Sequence, residues 1–322
     1  MKERNRNKHL GPPGDSNKVK TTAAFAAVYP DRCEVRMIKN LCLLFCLLAL
    51  GPVQAKPDER FVLGVLEHNN GEGRKGHNIR VAFFKEGGRW KAYPASFHNE
   101  EELSGAVKSF PGEVAWTVCF DGRPSGSLTS KNPERISYYK DVGTQQISSS
   151  ASVPTFGKPS EEFSGWPGGR TYRPVVLSSS ANCADPGGWR PAKPAAAELD
   201  AVKDYLRRGQ KVSAAGMAKA KLTANKSYGS LARGAKLVSL TIKGARVFQS
   251  SEDDDPNEDA WFYVAGKEVR YLGSNMLLVD AGDYDGDGKE EAVFKVQRYN
   301  NDGYVLFSEG FGQKAEFSWN YH

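Results

Sequence analysis

A short acidic segment near the C-terminus constrains the fold of this chain more than any other part of its sequence. Residues 283–291 have the sequence Asp-Tyr-Asp-Gly-Asp-Gly-Lys-Glu-Glu and lie between two strand-like runs, Met276–Val279 and Ala292–Val296. Alternate aspartates in a tight turn can bring their carboxylates to one point, and Gly286 and Gly288 allow the positive φ angles that such a turn needs. The segment therefore predicts a compact loop that joins two strands of a sheet.

The charge of this loop predicts a bound cation. Two carboxylates about 5 Å apart repel each other by roughly 3 kcal/mol at an effective dielectric constant near 20. Calcium prefers oxygen ligands, whereas transition metals favour His and Cys, which this loop lacks. We therefore expect a structural Ca²⁺ site, with a solvated acidic turn as the alternative. The predicted ligands are the side chains of Asp283, Asp285, Asp287 and Glu291 and the carbonyl of Lys289.

The spacing of this loop differs from that of an EF-hand, which needs a bidentate Glu at position twelve, where this chain has Phe294. The loop resembles instead the calcium loops of FG-GAP (integrin α-type) repeats, in which DxDxDGxxD lies between adjacent strands of a propeller blade. The resemblance covers Leu277–Tyr299, with Glu291 where that family has Asp, and the chain has no second copy. It implies a calcium ion and, as an alternative fold, a degenerate β-propeller.

The N-terminal part of the chain has the pattern of a secretory signal peptide over residues 37–55. Lys39 supplies the basic region, Leu41–Leu50 the apolar core, and Val53-Gln54-Ala55 a small-residue cleavage site. We therefore expect cleavage near Ala55, and residues 1–36 would be a basic extension upstream of the natural start at Met37. An anchored N-terminal helix is the alternative.

The net charge of the chain lies mostly in this leader. The segment up to Ala55 holds 9 Lys or Arg residues and 4 Asp or Glu residues, out of a net charge of +6 for the whole chain. The mature part is therefore nearly neutral, which argues against nucleic acid as a partner.

Two of the five cysteines, Cys119 and Cys183, follow the predicted cleavage site. In an exported protein two cysteines most simply form one disulfide, because disulfides persist in oxidising compartments. Two free buried thiols are the alternative.

The remaining patterns predict a mainly β protein with two antiparallel β lobes and a short helical segment between them. The expected boundaries are an N-terminal lobe over 56–190, a helical or linker segment over 191–226 and a C-terminal β-meander over 227–322. Ala195–Arg208 is the predicted helix, because it follows a proline and places apolar residues on one face. Asn301-Asp302-Gly303 predicts a hairpin turn within the meander.

The C-terminal region also resembles a group of uncharacterised exported bacterial proteins. The resemblance lies in the DGDG loop at Asp285–Gly288, in Asp302-Gly303-Tyr304 and in the final aromatic run, Phe317–His322. It implies export in a Gram-negative bacterium, to the periplasm or beyond, and carries no known activity.

The motifs of common enzyme classes are missing from this sequence. There is no GxSxG elbow, no Walker loop and no GxGxxG after a strand, and the spacing of His68, His77 and His98 fits no zinc signature. We therefore predict no catalytic residues. Trp166 and Trp189 lie in Gly/Pro-rich loops, which makes them the candidates for exposed ligand-binding aromatic residues.

Taken together, these features predict an exported, calcium-stabilised, non-catalytic binding or structural module of the cell envelope. Its partner would be an unknown envelope protein or a glycan, and the mature chain would have no transmembrane span. A carbohydrate-binding or carbohydrate-active protein with structural calcium is the alternative, so an enzyme is not excluded.

Overall fold

In the described part of the chain, runs of β-branched and aromatic residues form three antiparallel sheets, which two short helices accompany. The computed structural model describes residues 60–69, 76–95, 97, 99–131, 143–150, 152–164, 168–209, 220–243, 259–298 and 300–320. All of them belong to one compact unit, Asp58–His322. The mainly β prediction is confirmed. The degenerate propeller is wrong, because the described strands form stacked sheets and not radial blades.

The N-terminal sheet has seven strands in the order β3-β2-β1-β7-β4-β5, with β6 paired to β2. A short helix, α1 (Glu100–Val107), buries Leu103 in the same core. It begins at Asn99, whose side chain accepts a hydrogen bond from the Glu102 amide. The strands are β1 (Val62–Asn69), β2 (Gly76–Glu86), β3 (Arg89–Ala92), β4 (Val114–Cys119), β5 (Pro124–Ser130), β6 (Thr144–Gln145) and β7 (Val175–Ser178).

The helix-covered sheet has five strands in the order β12-β11-β10-β9-β8. Its cover is α2 (Ala196–Gly209), which buries Val202 and Leu206 against it, so the predicted helix is confirmed within one residue at each end. The strands are β8 (Trp189–Pro191), β9 (Lys221–Ser230), β10 (Lys236–Lys243), β11 (Asp259–Ala265) and β12 (Glu268–Ser274).

The central sheet is a four-stranded meander in which consecutive strands pair. The acidic segment connects its first two strands, as the sequence predicts. The strands are β13 (Met276–Gly282), β14 (Glu291–Arg298), β15 (Asn301–Ser308) and β16 (Gln313–Asn320).

The central sheet lies between the other two sheets and is buried on both faces. Along β15, Tyr304 and Leu306 share a core with the N-terminal sheet, whereas Val305 and Phe307 share a core with the helix-covered sheet. Successive side chains of a strand point to opposite faces, so a strand with two buried faces is apolar throughout. This explains the unbroken apolar runs of the C-terminal region.

Three local features differ from the sequence predictions. Residues 221–226, expected in a helical or loose segment, form the start of strand β9, and α1 lies in a region expected to be β. The predicted hairpin turn is displaced by about two residues, because Arg298 pairs with Asn301 and the turn precedes Asp302. Asn300, in the left-handed region at φ 57°, supplies the turn instead of Gly303.

The predicted disulfide is confirmed, with the Cα atoms of Cys119 and Cys183 5.4 Å apart. Among the described residues, neither helix is long and apolar enough to cross a bilayer. The predicted leader, 1–55, lies outside the described residues, and so does His98.

Candidate functional site

Asp283 organises the acidic loop by accepting hydrogen bonds from the backbone that follows it. Its Oδ1 accepts from the amides of Gly286 and Asp287 at 2.8 and 3.0 Å, and its Oδ2 accepts from the Gly288 amide at 2.9 Å. Gly286 and Gly288 have φ angles of 79° and 83°, which only glycine adopts without strain. The predicted turn chemistry therefore accounts for the shape of the loop.

The three aspartates of the loop converge as predicted. Asp283, Asp285 and Asp287 each present a carboxylate oxygen, and these oxygens lie within 4.8 Å of one another. Asp283 and Asp285 are buried, whereas Asp287 is exposed. An oxygen-only donor set of this charge fits a hard cation such as calcium better than a transition metal.

Lys85 of β2 places a positive charge next to the three aspartates, and this contact was not predicted from the sequence. Its ammonium donates hydrogen bonds to Asp285 and, at 2.9 Å, to Asp287. The contact joins the N-terminal sheet to a loop of the central sheet, 200 residues away in sequence. Because Lys85 already neutralises part of the carboxylate charge, a metal ion at this loop has to compete with it.

The protonation of these groups follows from burial and from Lys85. Burial raises the pKa of Asp285, and the ammonium opposes that rise. Burial also favours a higher pKa for Asp287. Hydrogen bonds from Lys85 and from the Lys289 amide outweigh this effect, so the pKa of Asp287 is lowered. The reciprocal hydrogen bonds outweigh desolvation at Lys85 and raise the pKa of its ammonium.

The fourth predicted side-chain ligand, Glu291, is not part of this convergence. Glu291 is buried, and its carboxylate accepts a hydrogen bond from the Tyr284 amide at 3.0 Å. Burial raises the pKa of Glu291 to about 8, and the nearby Asp285 charge adds to the rise. The structure therefore brings together three of the four predicted side-chain ligands. The fifth predicted ligand is the backbone carbonyl of Lys289, and it stays a prediction; the ammonium of this residue contacts Glu309 at 2.8 Å.

The disulfide supports the acidic loop directly, a link that the sequence did not reveal. Asn182, next to Cys183, donates to Asp283 Oδ2 at 3.0 Å, and the Asp283 amide donates to the carbonyl of Ala184 at 2.5 Å. A Cβ atom at Gly282 would lie 2.9 Å from the Tyr284 ring and 3.1 and 3.3 Å from the backbone carbonyl oxygens of Cys183 and Ala184, which is closer than most such contacts. The segment around Cys183 therefore packs closely against the start of the loop.

The two tryptophans predicted to bind a ligand give no exposed platform in the described part of the chain. Trp189 is only 6% exposed and packs edge-on against Phe311 in the core, so the prediction of an exposed ring is wrong for this residue. Trp189 nevertheless lines one cavity of the groove that is described next. Trp166 lies outside the described residues.

A groove lies where the three sheets meet, beside the free edge of β13. It consists of two adjoining cavities of about 660 and 600 Å³, which share Arg173, Pro191, Tyr228 and Leu278. We call it the Arg173 groove. Ligand pockets commonly have volumes of roughly 300–1,000 Å³ and combine apolar walls with a few polar groups.

A β-bulge turns Asp280 toward this groove. Between Leu278 and Asp280 the register of β13 against β14 shifts by one residue, so Leu278 and Ala281 both face the helix-covered sheet. Asp280 lines the groove, is 6% exposed, and its Oδ2 has no hydrogen-bond partner among the described residues. Bulges often occur next to functional sites because they re-aim a side chain.

Arg173 is held rigidly beside Asp280. Its Nε donates to the Val279 carbonyl at 2.7 Å, and its Nη2 donates to Asp121 at 2.9 Å and to Asp280 at 3.3 Å. The guanidinium also stacks on the Phe120 ring at 4.4 Å. Burial nevertheless raises the pKa of Asp280 to about 7, with Arg173 acting against the rise.

The turn that presents Asp121 is a two-residue hairpin between β4 and β5. Phe120 and Arg123 exchange backbone hydrogen bonds, and Asp121 and Gly122 have φ angles of 50° and 72°. Asp-Gly is the sequence that such a turn favours. Two sequence signals for this site were therefore present: the Asp-Gly pair, and a lone charge, Asp280, in the apolar run of β13.

Comparison of the chain with protein-family models, with curated proteins and with solved structures found no match in any of the three.

Proposed function

We propose that this chain is an exported, calcium-stabilised, non-catalytic binding module of the cell envelope. The observation that carries the binding role is the Arg173 groove, where a buried carboxylate with an unpartnered oxygen, Asp280, adjoins a fixed guanidinium. Buried polar groups without a partner are uncommon in folded proteins, and a ligand is one explanation for such a group in a groove.

The proposal that the module is exported draws support from the disulfide. Disulfides persist in oxidising compartments and are rare in the cytosol. The signal-peptide pattern over residues 37–55 points the same way.

The proposed role of calcium is structural. The ligands would be carboxylates of Asp283, Asp285 and Asp287, whose oxygens converge at the junction between the central sheet and the N-terminal sheet. A bound ion would supply positive charge to these carboxylates, a role that Lys85 fills in part.

A carbohydrate-active enzyme is the second candidate, and one observation favours it. Asp121 and Asp280 both contact Arg173 and both line the groove, so two carboxylates face the same space. Pairs of carboxylates carry out glycoside hydrolysis in most families of that class.

The binding role can be tested with the mature chain, residues 56–322, immobilised in oxidising buffer. Protein and glycan fractions of a Gram-negative cell envelope are passed over it separately. We expect one fraction to be retained by the wild type and lost with Arg173→Gln, because the groove loses its fixed cation. Arg298→Gln, an exposed position away from the groove, is the matched control. Retention that is equal in Arg173→Gln would contradict the binding role, and turnover of a retained glycan would favour the enzyme.

A further inference from the structure

The Arg173 groove contains a second buried polar atom without a partner. Ser227, on β9, lines the larger cavity, and its buried Oγ has no hydrogen-bond partner among the described residues. Asp280, with its unpartnered Oδ2, lines the other cavity. Leaving buried polar groups unpaired is unfavourable in a folded protein, so both atoms favour a ligand that pairs with them.

The two atoms have different hydrogen-bonding chemistry. A carboxyl group accepts hydrogen bonds when ionised and can also donate one when protonated, and a serine hydroxyl both donates and accepts. A ligand that carries both donors and acceptors therefore suits the two groups. Hydroxyl groups provide this combination, because each one can donate to one group and accept from another.

The charge balance of the groove disfavours a strongly charged ligand. Five cationic and four acidic side chains line it, so its charges nearly balance. Lys226 contacts Glu162, Arg190 contacts Asp185, and Arg173 contacts both Asp121 and Asp280, whereas Arg123 and Lys193 have no ion-pair partner among the described residues. Because positive and negative groups along the groove nearly balance, a polyanion or a polycation gains little electrostatic free energy by binding there.

The walls of the groove offer apolar surface next to these polar groups. Tyr228 and Leu278 line both cavities, and Phe120 lines one. Aromatic rings combined with a few fixed polar groups suit a ligand that has both C–H faces and hydroxyl edges.

We infer that the Arg173 groove binds a neutral, polyhydroxylated ligand of the size of a short oligosaccharide, with Asp280 and Ser227 as its hydrogen-bonding anchors. This inference rests on the proposed binding function and names its ligand class. The volumes of the two cavities, about 660 and 600 Å³, are large enough for more than one sugar ring.

Calorimetric titration of the mature chain tests this inference. The probes are maltotriose, cellotriose and chitotriose, with tri-aspartate and tri-lysine peptides as charged probes of similar size. We expect at least one trisaccharide to bind and both peptides to fail. At pH 8, where the carboxylate is ionised, Asp280→Asn should weaken sugar binding by about tenfold or more, because a hydrogen bond to a charged group is lost. Ser227→Ala, which makes a smaller structural change, should weaken it about fivefold.

Matched controls separate the groove from general effects on the fold. Asp200→Asn on the exposed face of α2 and Ser104→Ala on the exposed face of α1 should leave sugar affinity unchanged. The inference is overturned if no trisaccharide binds or if neither groove variant weakens binding. Binding of a charged peptide that depends on Asp280 would also overturn the ligand class. Such binding of a charged peptide would still agree with the proposed binding function. Groove-dependent retention of an envelope protein would also agree with it.

Discussion

Asp280 combines a structural cost with the binding role proposed for it. A bulge places its carboxylate in the Arg173 groove, where burial raises its pKa to about 7 from a usual value of 3.8. The folded protein therefore holds this proton more tightly than the unfolded chain does. The stability that this group contributes is present below about pH 4 and is lost as the pH rises through about 7.

This linkage predicts the behaviour of Asp280→Asn, which resembles the protonated acid in shape and stays neutral at every pH. We expect the variant to melt at a higher temperature than the wild type above pH 7, and the difference to disappear near pH 4. Thermal denaturation across this range measures it, with Asp200→Asn as the exposed control. A difference that does not depend on pH would show that Asp280 is not held in a protonated state by burial.

Lys85 predicts a second effect at the level of a single residue. Its ammonium contacts Asp285 and Asp287, so a calcium ion at the proposed site would compete with Lys85 for the same carboxylates. Lys85→Met should therefore tighten calcium binding, by about tenfold if it relieves one charge contact of this kind. It should also lower the melting temperature in EDTA, because the carboxylates lose their counter-charge.

Calorimetric titration with calcium measures the affinity of this variant. Lys91→Met is the control, since the ion-pair partner of Lys91 among the described residues is the exposed Glu86 on the neighbouring strand. Equal or weaker calcium binding by Lys85→Met would mean that Lys85 does not compete with a metal ion.

Among the larger elements, α2 has a simple packing role that the sequence predicted well. Leu206 is fully buried in the core that α2 shares with β10 and β11, whereas Arg207 is exposed. Leu206→Ala should lower the free energy of unfolding by about 2–5 kcal/mol, and Arg207→Ala should change it by less than about 0.5 kcal/mol. Urea denaturation measures both. Similar effects of the two substitutions would contradict the packing of this helix on the sheet.

The disulfide predicts an effect on the acidic loop as well as on stability. The segment that follows Ser180 contacts Asp283 through Asn182 and Ala184, and Cys119 anchors this segment. Replacing both cysteines with serine should cost up to about 4 kcal/mol of stability in the chain-entropy model for a loop of this length. It should also weaken calcium binding, because Asp283 loses its support.

Calcium titration of the double serine variant at a temperature where it remains folded separates the two effects. An unchanged calcium affinity would show that the loop is held independently of the disulfide.

What the sequence could and could not predict depends on the range of the interactions involved. The acidic turn and α2 were predictable because their signals are local: glycines at fixed positions and apolar residues on one helix face. Lys85 was not, because its partners lie 200 residues away and only the stacking of the sheets brings them together. The segment Lys221–Lys226 was predicted incorrectly for a related reason. It forms a strand because its pairing with β10 overrides the weak local preference of an Ala/Lys-rich segment.

At the scale of the whole molecule, the central sheet joins the other two sheets into one unit. Its faces carry two separate apolar cores, and its first strand, β13, borders the Arg173 groove and leads into the acidic loop. A change at the loop can therefore affect both the stability of the stack and the position of Asp280. Ligand binding and cation binding should be coupled if both occur.

The most direct test of this view of the molecule is thermal denaturation of the mature chain in oxidising buffer, first with EDTA and then with excess calcium. We predict a lower melting temperature in EDTA, full recovery at millimolar calcium, and no calcium response in Asp285→Ala. Sites in extracellular modules bind calcium with dissociation constants of about 0.1–1 mM, which sets the range for the titration. The same melting temperature with and without calcium in the wild type would contradict the calcium-stabilised loop.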